Sequence, residues 1–375
     1  MDKRIILAGG GHAHLAVLAD WAQRPLEGTE RCLVTSTRFT AYSGMLPGWI
    51  AGIYRANDLL IDLKPLAEKA GAKLILADVI ALDADRRTLE LSNGEMIEFD
   101  LLSLATGGEI DVSNLATLED RMLPVRPVDA FMNSWSRFIE GKGSEATLHV
   151  AVVGGGAAGV ELALAVQTVL RDLFPQPRVS LVTPEEGFLA GHVDKVKRRT
   201  LAELSGLGIS IHFAEAAGVP DGLLLSSGIH IPVDCVIAAT GSRAPRWLER
   251  SGLDCNASGF VSVGADMRSI SHDAIFAAGD IVERIDRPLP RSGVHAVKAG
   301  PVLAANLRAV SNGGPLRHYQ PGRRTLYLMA TGDRRAILSW GGLAATGRLA
   351  WRLKDFIDRH FVESYRVSGR EAGPQ

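Results

Sequence analysis

The chain has 375 residues, of which 46% are apolar and 22% are charged, and its formal net charge is −1. This length suits two or three domains, and the composition supports a sizeable core. A charge near zero excludes a general attraction to nucleic acid. The apolar run before Gly9 is too short for a signal peptide, and no long apolar stretch lacks charges, so we expect no membrane-spanning helix.

The first part of the chain reads as strand, glycine turn, helix and strand. Residues 4–8 are an apolar strand candidate, a helical pattern runs from Leu15 to Trp21, and residues 31–35 form a second strand candidate. This is how a doubly wound parallel sheet begins. Further strands are predicted at residues 74–76, 88–91 and 100–105, and a loop or broken helix at residues 41–54.

The same plan occurs again after a segment of loop composition around residues 114–127. Residues 149–153 predict a strand, residues 160–170 a helix and residues 178–182 the next strand. In each copy a later apolar strand ends in Ala-Thr-Gly. A repeat of this size favours two nucleotide-binding domains over a solenoid.

The remaining segments complete the predicted organisation. Residues 274–278 form a strand that ends in Gly279-Asp280, residues 325–329 form another, and an amphipathic helix spans residues 349–361. We therefore predict an α/β fold with two Rossmann-like dinucleotide-binding domains and a small α+β C-terminal region. The boundaries are residues 1–112 with 252–315, the inserted residues 113–251, and residues 316–375.

The second glycine loop carries the strongest functional signal. Gly154 permits a tight turn, Gly156 lets the backbone approach a pyrophosphate, and Gly159 lets the helix pack close to the strand. The start of the following helix supplies free N–H groups to phosphate. Because the loop follows one predicted strand and precedes a helix and another strand, we interpret it as a dinucleotide site.

The first loop departs from this pattern at its third position. Gly9 and Gly11 match, Ala13 follows in the helix, and His14 replaces the third glycine. The pair His12 and His14 is compatible with a metal or proton-transfer site. We favour the interpretation that one histidine contacts phosphate while the other packs, and we assign no metal.

Neither copy has the acidic residue that normally binds a ribose diol. Thr35 and Ser36 stand at that position in the first copy, and Thr183 in the second. Glu185 and Glu186 follow shortly after and would repel a 2′-phosphate. This pattern favours NADH over NADPH.

The two loops, the two Ala-Thr-Gly strands and the segment 275–280 together resemble the pyridine nucleotide-disulfide oxidoreductase superfamily over about residues 3–310. The resemblance implies FAD at the first loop, NADH or NADPH at the second, and Asp280 at the ribityl side of the flavin. It also implies that Glu161 lies near the nicotinamide, and that the helix after Ser292 points at the flavin. The remaining implied cofactor contacts are Ala105, Thr106, Gly107, Gly279 and Gly241.

Two further segments resemble one subgroup. Residues 42–48 (Tyr-Ser-Gly-Met-Leu-Pro-Gly) and residues 351–359 are similar to type II NADH dehydrogenase-like flavoproteins, which occur alone or fused to selenide, water dikinase. The resemblance implies a link to selenium metabolism, with the dikinase as a partner.

The three cysteines, Cys32, Cys235 and Cys255, form no C-x-x-C pair, which argues against an electron relay through a disulfide and favours a cytoplasmic chain. We predict direct hydride transfer from nicotinamide C4 to flavin N5, then electron delivery to a quinone or to a selenium or sulfur species. Glu161 and Lys298 are the catalytic candidates. The alternatives are a FAD-binding redox-sensing or regulatory partner with little turnover, and a degenerate domain without FAD.

The last helix leaves two interpretations open. Its predicted apolar face carries Trp351, Phe356 and Phe361 beside several basic residues, as in helices that lie on a membrane surface. Helices of this kind also cover a core or a dimer seam, which we favour. The predicted location is therefore cytoplasmic, or peripheral on the inner face of the membrane.

Overall fold

The computed structural model describes residues 2–143, 145 and 147–367. Up to residue 112 it contains ten strands and four α-helices, which begin with a Rossmann-type unit. In chain order these are β1 (Lys3–Ala8), α1 (His12–Gln23), β2 (Thr29–Thr35), β3 (Phe39–Ala41), α2 (Leu46–Ile50), α3 (Ala56–Leu59), β4 (Leu60–Asp62), α4 (Leu63–Lys69), β5 (Ala72–Leu76), β6 (Val79–Asp83), β7 (Thr88–Leu91), β8 (Met96–Glu98), β9 (Leu101–Leu104) and β10 (Glu109–Ile110).

The following segment repeats that unit, and the last segment returns to the first sheet before forming a small α+β layer. The next elements are β11 (Met122–Pro124), α5 (Val128–Glu140), β12 (His149–Val153), α6 (Ala157–Leu173), β13 (Arg178–Thr183), α7 (Asp194–Gly206), β14 (Ser210–Phe213), β15 (Ala216–Val219), β16 (Gly222–Leu225), β17 (His230–Pro232), β18 (Cys235–Ala238) and β19 (Ser242–Arg243). The last are β20 (Val261–Val263), β21 (Ile275–Ala277), β22 (Val282–Arg284), α8 (Gly293–Asn312), β23 (Leu326–Ala330), β24 (Ala336–Trp340), β25 (Leu343–Gly347) and α9 (Arg348–Tyr365).

Two five-stranded parallel sheets dominate the molecule, with the orders β21-β9-β1-β2-β5 and β11-β18-β12-β13-β14. In both, the first strand of the repeat lies in the centre, between the second strand and the Ala-Thr-Gly strand. Their central strands are continuous apolar runs because both faces of a parallel sheet are covered. The α/β fold with two Rossmann-like units is therefore confirmed.

Equivalent backbone hydrogen bonds hold the two glycine turns. The N–H of Gly9 donates to the carbonyl of Val34 at 2.7 Å, and the N–H of Gly154 donates to that of Val182 at 2.9 Å. Each unit also contains a separate three-stranded antiparallel sheet, which is β6-β7-β8 in the first unit and β15-β16-β17 in the second. The repeat thus extends well beyond the glycine motifs that revealed it.

The segment around residues 114–127 is not the simple loop that its composition predicted. It contains a 3₁₀ segment, Ser113–Arg121, and the strand β11, which pairs in parallel with β18 at the edge of the second sheet. A three-residue strand that ends in proline has too little periodicity to be recognised, and only its pairing with β18 defines it.

The C-terminal region is a three-stranded antiparallel sheet, β23-β24-β25, followed by α9. The sequence analysis predicted the first of these strands, β23, but neither β24 nor β25. This sheet packs against α6 and α7, while α9 also contacts α3 and β4 of the first unit. Among the described residues, no helix has the length and apolar character needed to cross a membrane.

Helices α1 and α8 pack closely side by side. A Cβ on Gly300 of α8 would lie 2.8 Å from Cβ of Ala16 and 3.0 Å from the carbonyl oxygen of Ala13. The glycine therefore permits close packing of the two helices. As a result, residues at the start of both helices border one cleft.

Candidate functional site

A cleft of about 680 Å³ lies at the carboxyl ends of the strands of the first sheet. Ligands of doubly wound folds bind at this edge. Eleven of the predicted cofactor contacts line it together: Gly9, Gly11, His12, Ala13, Thr35, Ser36, Ala105, Thr106, Gly107, Gly279 and Asp280. Four separate chain segments contribute these residues, so the tertiary fold brings together a set that was chosen from sequence alone.

The two glycines of the first loop are required by space. A Cβ on either Gly9 or Gly11 would lie 2.4 Å from the carbonyl oxygen of Ala105, at the end of the neighbouring strand. Gly9 also has φ +98°, a conformation that side-chain-bearing residues rarely adopt. The loop therefore lies directly against β9, and the N-terminus of α1 faces the cleft.

His14, at the position of the third glycine, is fully buried and connects the loop to the sheet. Its Nδ1 lies 2.6 Å from the carbonyl oxygen of Gly9, and its Nε2 lies 2.8 Å from Oγ of Ser103 on β9. Because a carbonyl only accepts, Nδ1 carries the proton and Nε2 accepts from the serine. Burial lowers the pKa of His14 to about 4, so the ring is neutral. Because both ring nitrogens are hydrogen-bonded inside the protein, His14 is the histidine of the pair that packs in the core.

We expect substitutions of His14 to separate its two contacts. In His14→Asn the amide nitrogen replaces Nδ1 and keeps the bond to Gly9, whereas His14→Leu leaves the buried groups of Gly9 and Ser103 without a partner. Each unsatisfied group costs about 1–3 kcal/mol. Urea unfolding should show a loss in the leucine variant that exceeds the loss in the asparagine variant. Equal losses would mean that only the volume of the ring matters.

His12 lines the cleft and contacts α9 on its other side. Its ring packs edge-on against Tyr42 and Phe361, with centroid distances of 5.4 and 5.7 Å. Burial lowers the pKa of His12, which favours the neutral ring. His12 therefore connects the glycine loop to the C-terminal helix.

Asp280 follows the last strand of the first sheet and forms an ion pair that the sequence did not reveal. Nη1 of Arg126 lies 2.6 Å from Oδ2 of Asp280. Arg126 lies between β11 and α5, in the segment that was predicted to be a loop. The start of α8, at Gly293 and Ala296, borders the cleft beside Asp280.

The second glycine loop repeats this geometry with a glycine at its third position. A Cβ on Gly154 would lie 2.1 Å from the carbonyl oxygen of Ala239, and one on Gly159 would lie 1.9 Å from that of Gly154. Gly156, by contrast, has open space where its Cβ would stand. Gly241 follows β18 at the same edge of the sheet. These residues form a second loop, outside the set that lines the first cleft.

Thr183 is not placed to bind a ribose. Its side chain is buried, and its hydroxyl donates to the carbonyl of Pro184 at 3.0 Å. The hydroxyl also lies against the second loop, 2.4 Å from where a Cβ of Gly155 would stand. Glu185 and Glu186, which follow, are exposed. The two glutamates, rather than the threonine, are available to a ligand at this edge.

Glu161 lies in a buried cluster of charges that joins α6 to α9. The N–H of Ala330 donates to its Oε1 at 2.7 Å, and Nζ of Lys354 lies 3.7 Å from the same oxygen. Lys354 also lies 3.0 Å from Oδ2 of Asp358 and donates to the carbonyl of Gly44 at 2.8 Å. The two segments of the subgroup resemblance, residues 42–48 and 351–359, are therefore in direct contact here.

Burial raises the pKa of Glu161 from its usual 4.5 to about 6, against the opposing effect of Lys354. The folded protein then holds this proton more tightly than the unfolded chain does, so stability falls as pH rises from about 4.5 to about 6. The free energy of unfolding falls by about 2 kcal/mol over this change in pH. We expect urea unfolding across this range to show the decline in wild type and to lack it in Glu161→Gln. If wild type and Glu161→Gln lost the same stability over this pH range, a group other than Glu161 would be responsible.

Lys298, the other catalytic candidate, lies on the exposed side of α8 and outside the set that lines the cleft. It sits two positions after Ala296 and one before Ala299, which are buried, so the helical period directs it to solvent. The structure thus does not support its proposed position facing the acceptor. The buried lysine near Glu161 is Lys354, which lies in the segment 351–359 of the subgroup resemblance but was given no role from the sequence.

A model of the pyridine nucleotide-disulphide oxidoreductase family matches residues 3–300. The chain belongs to this family. The match contains both glycine loops and both Ala-Thr-Gly strands, and it agrees with the resemblance seen in the sequence.

Curated relatives match between about three fifths and nearly all of the chain. An NADH dehydrogenase-like protein of Mycobacterium tuberculosis is 28% identical over 232 residues, 59% of this chain and 58% of that protein. This match thus spans less than two thirds of the relative's length. The demethylphylloquinone reductase NdbB of Synechocystis is 26% identical over 97% of this chain and 92% of the relative. A type II NADH:quinone oxidoreductase of Staphylococcus haemolyticus is 22% identical over 98% and 96%.

Solved structures share the fold over nearly the whole chain. The sulfide:quinone oxidoreductase of Aquifex aeolicus superposes with a TM-score of 0.81 at 17% identity, covering 97% of this chain and 91% of that one. NDH2 from Plasmodium falciparum gives 0.80 at 13% identity, covering 97% and 98%. At these identities the likeness concerns the fold.

The residues of the first cleft fit a dinucleotide such as FAD. Its glycine loop leaves no room for a side chain against Ala105, which allows the backbone to approach a phosphate. In addition, the hydroxyl of Thr106 is buried and has no protein partner, although Thr106 lines the cleft. A buried polar atom without a partner is costly, and a bound ligand would satisfy it.

Proposed function

We propose that this protein is a FAD-dependent NAD(P)H:acceptor oxidoreductase that passes electrons to a quinone or another small acceptor without a redox-active disulfide. The observation that carries the proposal is the convergence of eleven predicted flavin contacts on one cleft, in a chain whose second unit repeats the glycine loop. Membership of the family supports the same reaction type.

Each part of the cleft has a role in this proposal. Bound FAD would accept a hydride from the nicotinamide and pass two electrons to the acceptor. The first glycine loop and the N-terminus of α1 would bind the diphosphate, and Asp280 would bind the ribityl hydroxyls. The N-terminus of α8 would stabilise negative charge on the reduced ring. Glu161, held by Lys354, would lie at the nicotinamide side.

The cysteines support transfer without a dithiol. Cys32 and Cys235 are free and buried in β2 and β18, and burial raises the pKa of both thiols. Cys255 is free and partly exposed, and burial raises the pKa of its thiol too. The residues that line the cleft, within the described parts of the chain, include no cysteine.

The acceptor favoured by the relatives is a quinone. Two of them are named as a demethylphylloquinone reductase and a type II NADH:quinone oxidoreductase, and both cover almost the whole chain. For the nicotinamide we propose a preference for NADH, because the exposed Glu185 and Glu186 follow β13 and would repel a 2′-phosphate. We propose no ribose contact for Thr183, because its side chain is buried in the protein.

The outer face of α9 supports peripheral contact with a membrane. Leu349 is 78% exposed and Phe356 67% exposed, and Leu353 and Ile357 complete this outer face. Trp351 is buried and Phe361 half-buried, so the apolar face predicted from sequence is divided between two sides of the helix. The neighbouring hairpin exposes Trp340 and Leu343, while Arg348 and Arg352 supply positive charge. An apolar surface with basic neighbours suits an anionic lipid surface.

Removal of apolar area from the outer face should weaken binding to anionic vesicles. We expect the double variant Leu349→Ser/Phe356→Ser to lose most of its sedimentation with phosphatidylglycerol vesicles, because each side chain would lose about 1.5–3 kcal/mol of apolar burial. Met96→Ser, which changes an exposed apolar residue on β8, is the control. The proposal of membrane contact would be wrong if the double variant sedimented with vesicles as wild type does. If, in addition, wild type were a dimer in analytical ultracentrifugation and the double variant a monomer, this face would be a surface of self-association.

The proposed function is tested by anaerobic mixing. The purified protein should contain FAD, bleach near 450 nm on addition of NADH faster than with NADPH, and recover its colour when a menaquinone analogue is added. Protein that does not bind flavin would refute the proposal. If the flavin bleached fast but every quinone reoxidised it slowly, the protein would still be an NAD(P)H-dependent reductase, but a quinone would be excluded as its acceptor. Slow bleaching by both nucleotides would favour the redox-sensing role.

The links to selenide, water dikinase and to a homodimer stay predictions, as do the boundaries of the three domains. Co-purification with the dikinase, and limited proteolysis that releases residues 113–251, would test the first and the last of these.

A further inference from the structure

A strained turn between β13 and α7, residues 188–192, packs against the second glycine loop. Leu189 has φ +46°, a conformation that residues with a side chain rarely adopt, and it is only 1% exposed. Its N–H donates to the carbonyl of Gly155 at 2.8 Å. In the first loop, the equivalent carbonyl of Gly10 accepts no backbone hydrogen bond from the described residues. Strain that the surrounding fold enforces often marks a functional position, so this contact of the second loop calls for a role.

The contact with Leu189 fixes the direction of a backbone donor. The carbonyl of Gly155 and the N–H of Gly156 belong to one planar trans peptide group, so they point in opposite directions. Because Leu189 holds the carbonyl on one side of the loop, the N–H of Gly156 is directed to the other side. Gly156 is the N-cap of α6 and has open space where a Cβ would stand. An N–H group at the start of a helix is the donor that a phosphate requires.

His192 ties this turn to the C-terminal sheet. Its N–H donates to the carbonyl of Leu189 at 3.0 Å. Its Nδ1 lies 2.8 Å from Oγ of Ser339 on β24, and its ring packs edge-on against Tyr327 on β23, with the centroids 4.9 Å apart. Ser339 and Tyr327 lie directly opposite each other on the two strands, and Ser339 is buried. The imidazole therefore anchors the turn to both strands of this hairpin.

We propose that His192 is a positioning residue for the nicotinamide dinucleotide, because it fixes the turn 188–192 that orients the N–H of Gly156 toward the diphosphate. This inference rests on the proposed function, since it assumes that NADH or NADPH binds at the second loop. His192 does not contact the nucleotide and acts through Leu189 and Gly155. The small C-terminal sheet thereby contributes to the affinity of the second unit for its nucleotide.

Calorimetric titration of the flavin-loaded protein with ADP-ribose tests the proposal. ADP-ribose has the diphosphate of NADH but no nicotinamide, so its binding is measured without turnover. We expect His192→Ala and Ser339→Ala each to weaken this binding about five- to tenfold. His192→Asn should stay within about twofold of wild type, because its amide can keep the hydrogen bond to Ser339. In turnover, the KM for NADH should rise by the same factors while kcat stays unchanged.

A double variant separates the proposed route from a general loosening of the protein. If His192 acts through Ser339, the variant His192→Ala/Ser339→Ala should bind ADP-ribose about as weakly as either single variant. His230→Ala is the matched control, because His230 lies on β17 of the same unit and its Nε2 lies 3.0 Å from a carboxylate oxygen of Asp221. Its affinity for ADP-ribose should equal that of wild type.

Three results would contradict the inference or its basis. Unchanged affinity of both single variants for ADP-ribose would overturn it, and so would independent losses that multiply in the double variant. Ser339→Ala removes one hydroxyl and leaves the imidazole against Tyr327, so it decides even if His192→Ala does not fold. Wild type that contains FAD but binds neither NADH nor ADP-ribose would refute the proposed function instead.

Discussion

We expect Gly11→Ala to purify without flavin, with its affinity for FAD reduced about a hundredfold. The added Cβ would lie 2.4 Å from the carbonyl oxygen of Ala105, and neither group is a flexible side chain that can move away. Overpacking of this kind costs about 1–3 kcal/mol, and any shift of the loop also displaces the N–H groups that face the diphosphate. Absorbance at 450 nm and titration of the apoprotein with FAD measure the effect.

The second loop provides a matched control. Gly156 has nearly the same backbone conformation as Gly11, with φ −67° against −66°, but its added Cβ would meet no protein atom within 4 Å. Gly156→Ala should therefore keep its FAD and its stability, while the KM for NADH rises about tenfold, because the Cβ would stand where the second dinucleotide approaches. Flavin loss in both variants, or in neither, would contradict the assignment of the two loops.

We expect Lys354→Met to lower the free energy of unfolding by about 3–5 kcal/mol. The substitution removes the ammonium group that lies 3.7 Å from Glu161 and 3.0 Å from Asp358 and that donates to Gly44. Two buried carboxylates would remain without their cation. The loss should be smaller at pH 5 than at pH 8, because burial already raises the pKa of both acids and protonation removes the uncompensated charge.

Lys298→Met is the comparison, since it removes the same charge from an exposed position on α8. We expect its free energy of unfolding to stay within about 0.5 kcal/mol of wild type. Urea unfolding at both pH values measures the two variants. If Lys298→Met lost turnover without losing stability, Lys298 would contact the acceptor after all, and our structural assignment would be wrong.

The local patterns of the chain were enough to predict the two repeats. The apolar strands, the glycine loops and the Ala-Thr-Gly ends are short-range features, because backbone conformation and burial on both faces of a strand act within a few residues. They located β1, β9 and β12 to within a residue or two. The local patterns supplied the residues of the first glycine loop, and the family resemblance added Asp280 and others of the eleven residues that line one cleft. The departure at His14 was visible too, although its hydrogen bonds to Gly9 and Ser103 were not.

Other features depended on contacts between distant segments. Arg126 meets Asp280, and Lys354 meets Glu161, across more than 150 residues of sequence. No local pattern distinguishes these two cations from exposed ones such as Lys298, since a charged side chain has the same identity whether it is buried or solvated. The sequence by itself therefore determined the duplicated α/β plan and the glycine loops, whose conformations are local. Only the tertiary structure decided which charges are paired, because burial and ion pairing depend on segments that the chain brings together by folding.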